Sequence, residues 1–345
     1  MKMILDKKFW ENKKVLVTGH TGFKGSWLSC LLKYLNCDVT GLSDNKILSD
    51  NYKTLKRSEI YSSEYMLDIY HDIAEINKVM NSEFDIVFHL AAQGIVSAAS
   101  KNPLETIKTN VIGTYNILEA ANNTKKTSTA IVSTTDKVYL HTSKDNIETD
   151  QLGGKEFYSA SKASAEHIIS AFVNTRKRES LNIGVVRSGN VLGGGDGAAD
   201  RIVTDVINSL KNKSDIYLRN PNSIRPWQFI MDSLLGYLLT AQYCSLNNVD
   251  DIFNLNSKLN NNRTVEDLTI AIKDKWNSTS SKIQKIQSNF YETEILKINS
   301  EKANKTLNWS AKEDLESIAS YIVDWEKEIL NSNNITFEQI DLYFK

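Results

Sequence analysis

Proline is nearly missing from this chain of 345 residues, occurring only 3 times. With so few breakers and 41% hydrophobic side chains, the chain reads as an ordinary globular protein able to bury a substantial core, and disorder is not the default. Cysteine is equally scarce. Cys30, Cys37 and Cys244 are odd in number, widely spaced and without a CxxC pair, which excludes a disulfide framework and fits a reducing cytosol. His20, His71, His89, His141 and His167 fall at no metal-ligand spacing, so no structural metal is expected. Long apolar runs are absent as well: nothing approaches the roughly 18 residues of a membrane span, and the N-terminus sets Phe9 and Trp10 among charges rather than in a signal-peptide core. Export and membrane insertion are therefore not expected. Nor is there a charge excess, since 41 basic against 42 acidic side chains leave a formal charge of -1. No global field draws such a chain to nucleic acid or anionic lipid. The pairs Lys7-Lys8, Lys13-Lys14 and Lys125-Lys126 carry no interleaved aromatics and read as solvated surface.

What is present is an alternation of two hydrophobic periods. Lys14–Thr18 (KVLVT) is a β-branched run ending in glycine, followed from Lys24 to Leu35 by apolar residues at helical spacing and then by a second strand pattern, Asp38–Leu42. Strands are expected again near Glu64–Leu67, Asp85–Leu90, Thr129–Ser133 and Ile183–Arg187, with helices at Ile73–Met80, Leu104–Asn122 and Tyr158–Arg176. This rhythm predicts an α/β fold of Rossmann type, a doubly wound parallel sheet with right-handed crossovers. After Asn190 it breaks into Gly193-Gly194-Gly195, short strands near Ile216–Leu218 and Trp227–Ile230, and helices near Arg201–Leu210, Asp232–Cys244, Val265–Trp276 and Asp314–Ile329. We expect residues 1–190 to form the sheet domain and 191–345 a smaller C-terminal α/β region, part of which packs back on the sheet.

The first strand-to-helix turn reads Thr18-Gly19-His20-Thr21-Gly22-Phe23-Lys24-Gly25. Glycines there remove the Cβ atoms that block a tight turn and the approach of a pyrophosphate, whose charge then rests on free N–H groups at the helix start. Gly19, Thr21, Gly22, Phe23 and Gly25 are thus candidates for holding a dinucleotide. A P-loop is the competitor, but it needs Gly-Lys-Ser/Thr in order, and here Lys24 precedes Gly25 and Ser26. Asp44, just past the second strand, is placed to accept ribose hydroxyls and repel a 2′-phosphate, which favours NAD over NADP. Asp68-Ile69, past the third strand, is placed to meet the adenine.

Tyr158-Ser-Ala-Ser-Lys162 puts a phenol and an ammonium one turn apart on one helix face. A neighbouring cation lowers a phenol pKa that starts near ~10, so a phenolate base becomes accessible. The bare pattern is weak, because Tyr52-xxx-Lys56 matches it too; only Tyr158 follows a strand ending in Ser133-Thr134-Thr135-Asp136-Lys137.

GHTGFKGSWLS (19–29), FHLAAQ (88–93), TNVIGTYNILEA (109–120), TTDK (134–137), YSASK (158–162), RSGNVLGGGD (187–196) and RNPNSIRPWQ (219–228) together resemble the CDP-glucose 4,6-dehydratases, NAD-dependent nucleotide-sugar enzymes of the extended short-chain dehydrogenase/reductase superfamily. The resemblance spans most of the chain. It implies NAD as cofactor, with Ala91, Ala92, Gln93 and Asn110 joining Tyr158 and Lys162 in its site, and a nucleotide-diphosphate sugar as substrate, reached by Asn190, Arg201, Arg219 and Arg225. It also implies a mechanism. Tyr158 takes the 4-hydroxyl proton as hydride leaves C4, Thr135 bonds the same oxygen, Asp136 protonates the departing 6-hydroxyl, and Lys137 serves as C5 base if its pKa is lowered. Members pair through two long helices, here Leu104–Asn122 and Tyr158–Arg176, so a homodimer or higher homo-oligomer in the cytoplasm is implied.

The chain departs from that pattern in places. Gly94-Ile95-Val96-Ser97-Ala98-Ala99-Ser100 stands where PLVRxSY is usual, Phe157 replaces a Pro, Gly197 a Trp and Phe229 a His. These positions are expected to shape the sugar pocket. Other readings on the same scaffold are a GDP- or TDP-sugar dehydratase, a 4-epimerase, a 4-oxidase, or a binding protein without catalysis. Retention of Asp136 and Lys137 speaks for elimination, and retention of Tyr158 and Lys162 for an enzyme.

Overall fold

A computed structural model describes residues 3–141, 143–176, 180–286 and 295–345. Its centre is a seven-stranded, all-parallel sheet. The strands are β1 (Lys14–Thr18), β2 (Asp38–Ser43), β3 (Tyr61–Met66), β4 (Ile86–His89), β5 (Thr129–Thr135), β6 (Asn182–Ser188) and β7 (Asp251–Leu255), in spatial order 7-6-5-4-1-2-3. The order reverses between β1 and β4, where Thr18 lies opposite His89, and in a doubly wound sheet ligands bind beyond the strand ends at such a point. Along β1, Val15 and Val17 enter one core cluster and Leu16 the other, so both faces of the sheet are covered and the strand reads as a continuous apolar run.

Helix α1 (Phe23–Tyr34) covers one face together with α2 (Ile230–Asn247), and the segment Phe157–Thr175 covers the other with Gly113–Asn122. Five tryptophans, Trp10, Trp27, Trp227, Trp309 and Trp325, are at most 2% exposed. They tie the C-terminal part to the face that carries α1. Trp309 Nε1, for instance, donates to the Asp232 carbonyl on α2 at 2.8 Å.

The expected helix over 104–122 is broken in the structure. It runs as Pro103–Ile107, a π turn at Lys108–Ile112 and Gly113–Asn122. Such an inserted turn is a common device at functional sites, and this one contains Asn110. The sequence reading also passed over β7, whose Asp251 and Asn254 interrupt its apolar pattern, and the closing helix Thr336–Phe344, which packs against α1. Among the described residues no helix is long and apolar enough to cross a membrane, and no group of three His, Cys, Asp or Glu is placed to hold a metal.

Candidate active site

A cleft of about 1120 Å³ opens beyond the ends of β1, β4, β5 and β6. At one end the glycine turn forms its wall. Gly19 adopts φ +73°, and a Cβ there would sit 2.7 Å from the Ala91 nitrogen; a Cβ on Gly25 would sit 2.1 Å from the Gly19 carbonyl oxygen. Only glycine lets the turn, α1 and the segment after β4 meet this closely. Gly22 caps α1 without any side-chain hydrogen bond, which leaves the first-turn N–H groups for a ligand. The turn therefore fits a dinucleotide pyrophosphate. Thr21, although at the cleft, donates its hydroxyl to the Ile47 carbonyl at 2.8 Å and pairs with Ser43, so it braces the loop after β2.

Beyond the turn, Asp44 and Asp68 line the cleft with Lys46 between them, 3.1 and 2.8 Å from the two carboxylates. Ile69 is buried at the same end, against Gly113. Ala91, Ala92 and Gln93 line the wall as expected. Asn110 does not. It lies behind the wall, fully buried, accepting from the Gln93 N–H at 2.8 Å and donating to the Gln93 carbonyl at 3.0 Å and to Ser161 Oγ at 2.9 Å. The π turn rotates its amide toward that segment, so Asn110 positions the wall that lines the cleft.

The floor is the end of β5. Glu156 caps the helix Phe157–Thr175, accepting from Tyr158 N at 2.7 Å and Ser159 N at 2.9 Å, and this fixes Tyr158 in the first turn above Thr135. Burial pushes the Tyr158 phenol up to about 12, opposed by a hydrogen bond with Thr135 and by the Arg201 charge. Lys162, expected to pull the phenol down, instead donates to the Ser133 carbonyl at 3.0 Å, and burial together with Lys24 pushes its ammonium down to about 8. Thr135 Oγ1 donates to Asp136 Oδ1 at 2.9 Å. Asp136 is 3% exposed, its Oδ2 has no partner among the described residues, and burial raises its pKa. Lys137 lies half-buried at the lip. Tyr52, the other sequence match, is buried away from the cleft and donates to Glu64 at 2.6 Å.

Behind this floor a buried ion pair joins strand to helix. Arg187 on β6 forks onto Glu166 at 2.5–3.0 Å, and Glu166 also accepts from Thr134 at 2.7 Å. Glu166 is one turn beyond Lys162, so the ion pair locks the Tyr158 helix to β6, and the Thr134 bond ties it to β5, the strand that carries Thr135. The sequence reading did not single it out; an Arg inside an apolar strand run was the available signal.

Four further polar residues reach the cleft from the segment 190–225. Asn190 and buried Arg225 line it, Arg201 pairs with Asp196 at 3.2 Å, and Arg219 approaches Asp200 and Asp205 at 3.5 and 3.7 Å. Of the departing positions, 94–98 and Ser100 line the cleft, with Ser97 Oγ donating to Asp200 at 2.8 Å. The rest do not shape it. Ala99 is fully buried, and Phe229 is a core residue stacked on Tyr321 at 4.5 Å. Phe157 opens the helix that carries Tyr158, exposed outside the cleft. Gly197 adopts φ +67°, where a Cβ would strike the Asp50 carboxylate. These four positions, expected to shape the sugar pocket, lie outside it.

The profile of the family described as GDP-mannose 4,6 dehydratase matches residues 16–322. The chain belongs to that family. It is 34% identical to a CDP-glucose 4,6-dehydratase of Salmonella typhimurium over 94% of this chain and 93% of that one. It is 27% identical to a dTDP-glucose 4,6-dehydratase of Shigella flexneri over 90% and 92%. Among solved structures, a UDP-glucose-4-epimerase from Stenotrophomonas maltophila with bound NAD superposes with a TM-score of 0.82 at 18% identity, covering 93% of this chain and all of that one. At that identity the likeness is one of fold.

Proposed function

We propose that this chain is an NAD-dependent nucleotide-sugar 4,6-dehydratase, a hydro-lyase that converts CDP-glucose to CDP-4-keto-6-deoxyglucose. The observation that carries the reading is the floor of the cleft. Tyr158, Thr135 and Asp136 follow one another there, and Asp136 is a second, buried acid with an oxygen free of any described partner. Oxidation at C4 alone, or epimerisation, has no use for that acid; elimination of the 6-hydroxyl does.

NAD bound along the glycine turn supplies the hydride acceptor for C4 and the hydride donor for C6. The rest falls to the side chains. Tyr158, sharing its hydrogen bond with Thr135, takes the proton of the sugar 4-hydroxyl, and Lys162 holds its place through the Ser133 carbonyl. The resulting ketone acidifies C5, and Lys137 at the lip, as the neutral amine, would take that proton. Asp136, whose burial favours the protonated form, hands its proton to the 6-hydroxyl, which departs as water. Arg201, Arg219 and Arg225 with Asn190 hold the diphosphate, where planar guanidinium groups pair bidentately and stay charged. Arg201 and Arg219 exchange their present carboxylate partners for phosphate oxygens.

We also infer a homodimer. The helical segments 103–122 and 157–175 pack on each other and leave Leu104 at 61%, Tyr115 at 44% and Phe157 at 48% exposed, a suitable four-helix seam. A monomer by light scattering would contradict it. The three cysteines are free and buried, which suits a reducing cytosol. The central test is incubation of purified protein with CDP-, TDP-, GDP- and UDP-glucose, following the absorbance of the 4-keto-6-deoxy product in alkali. A signal strongest with CDP-glucose is expected, and no signal with any of the four would refute dehydration.

A further inference from the structure

Lys24 belongs to the glycine turn by sequence, yet its side chain serves neither turn nor surface. It occupies the first turn of α1, where the positive end of the helix dipole disfavours an ammonium. It lines the cleft, and its Nζ lies 5.7 Å from the centroid of the Tyr237 ring. Tyr237 in turn bonds Ser133 Oγ at 2.6 Å, and the Ser133 carbonyl carries Lys162. The ammonium of Lys24 thus reaches from the turn to the level of the catalytic floor. Its charge is felt there by Lys162, Arg201, Asp136 and Asp196. Arg201 has Asp196 and Lys162 has a carbonyl, whereas Lys24 forms no ion pair or hydrogen bond among the described residues. Burial, reinforced by Arg201, brings its pKa down to about 8, so at neutral pH the cation persists at a cost.

A dinucleotide running from the glycine turn to Tyr158 and Lys162 must pass this ammonium. We propose that Lys24 is an electrostatic partner of the nicotinamide, which together with Lys162 favours the neutral, reduced ring over the cationic, oxidised one. During oxidation of the sugar, C4 gives up a hydride to the ring and its hydroxyl gives up a proton to Tyr158, so the ring loses its positive charge. Two ammonium groups beside it favour that change and hold the reduced ring through the elimination. The inference rests on the cofactor assignment and requires no particular sugar.

The test uses the whole protein without sugar nucleotide, titrated with NAD and with NADH, for wild type, Lys24→Met and Lys24→Arg. Met keeps the length over the Tyr237 ring and removes the charge. The ratio Kd(NAD)/Kd(NADH) is expected to fall about tenfold in Lys24→Met, the equivalent of about 30 mV for a two-electron couple, and to stay near the wild-type value in Lys24→Arg. Equal weakening of both forms in Lys24→Met would assign Lys24 to the pyrophosphate and overturn the proposal, as would an unchanged ratio. A wild type that binds neither form would remove the cofactor assignment along with it. Failure of the dehydratase reading alone, seen as NAD binding without turnover, leaves this measurement intact.

Discussion

Thr134, Thr135 and Asp136 on the floor of the cleft are 4%, 6% and 3% exposed, while the side chains of Arg201 and Arg219 at its mouth are 40% and 42% exposed. The floor is held by strand register, a capped helix and a buried ion pair, and each polar group there except Asp136 Oδ2 and Lys24 has an assigned partner. The mouth is held by half-exposed arginine–carboxylate pairs that a ligand can replace. On the proposed function, the contrast divides labour. Proton transfer needs groups fixed within hydrogen-bond reach in a poorly hydrated place, whereas recognition of a diphosphate needs charges that can change partners. Substrate choice is therefore expected to vary through 94–98, Ser100, Arg201, Arg219 and Arg225 without disturbing the chemistry.

The sharpest way to break this division is Tyr158→Phe, which removes one oxygen from the floor. kcat should fall about 10²–10⁴-fold, with NAD and sugar-nucleotide binding retained in titrations; unchanged turnover would discredit Tyr158 as the base. Glu166→Ala leaves Arg187 buried and unpaired, which should lower unfolding stability by about 3–5 kcal/mol in a denaturant titration. A loss below about 1 kcal/mol would show that the floor is not clamped from behind.

Asp136→Asn separates chemistry from stability. Elimination should slow about 10²-fold while C4 oxidation proceeds, so reduced cofactor accumulates in single-turnover absorbance. Burial holds the Asp136 pKa above its unfolded value, so the carboxyl's favourable contribution is full at acid pH and is lost as pH rises through the folded pKa. The variant should then melt above wild type at pH 7, with the advantage fading as pH falls into the ordinary carboxylate range. A variant less stable at pH 7 would contradict that environment. The smallest effect belongs to the mouth. Arg219→Ala should raise KM by on the order of tenfold, the size of one charge-assisted hydrogen bond, and leave kcat and melting temperature unchanged because its ion pairs are exposed. A fall in kcat would place Arg219 in the chemistry.

Much of this is legible in the sequence. β1, β2, β4, β5 and β6 and their helices follow from period and punctuation, and all but one of the residues expected at the site meet in a single cleft. Asn110 was legible as a member of the site but not as a clamp, because its role depends on a π turn that leaves no pattern in a helical apolar repeat. Phe229 and Gly197 were misplaced for a related reason: a position's difference from relatives says nothing about which way its side chain faces. Lys24 carried a faint signal, a cation where a helix dipole disfavours one.

Local rules determined the glycine turn, the Tyr158–Lys162 spacing and the alternating elements, since each depends on neighbours within a turn or a strand. Only the packed chain decided that burial, rather than Lys162, dominates the Tyr158 phenol, that Asp136 is sequestered with an open oxygen, and that Lys24 lines the same cleft as Lys162 and Asp136. Desolvation and charge proximity depend on residues more than a hundred positions apart arriving at one place, and no short-range pattern encodes that.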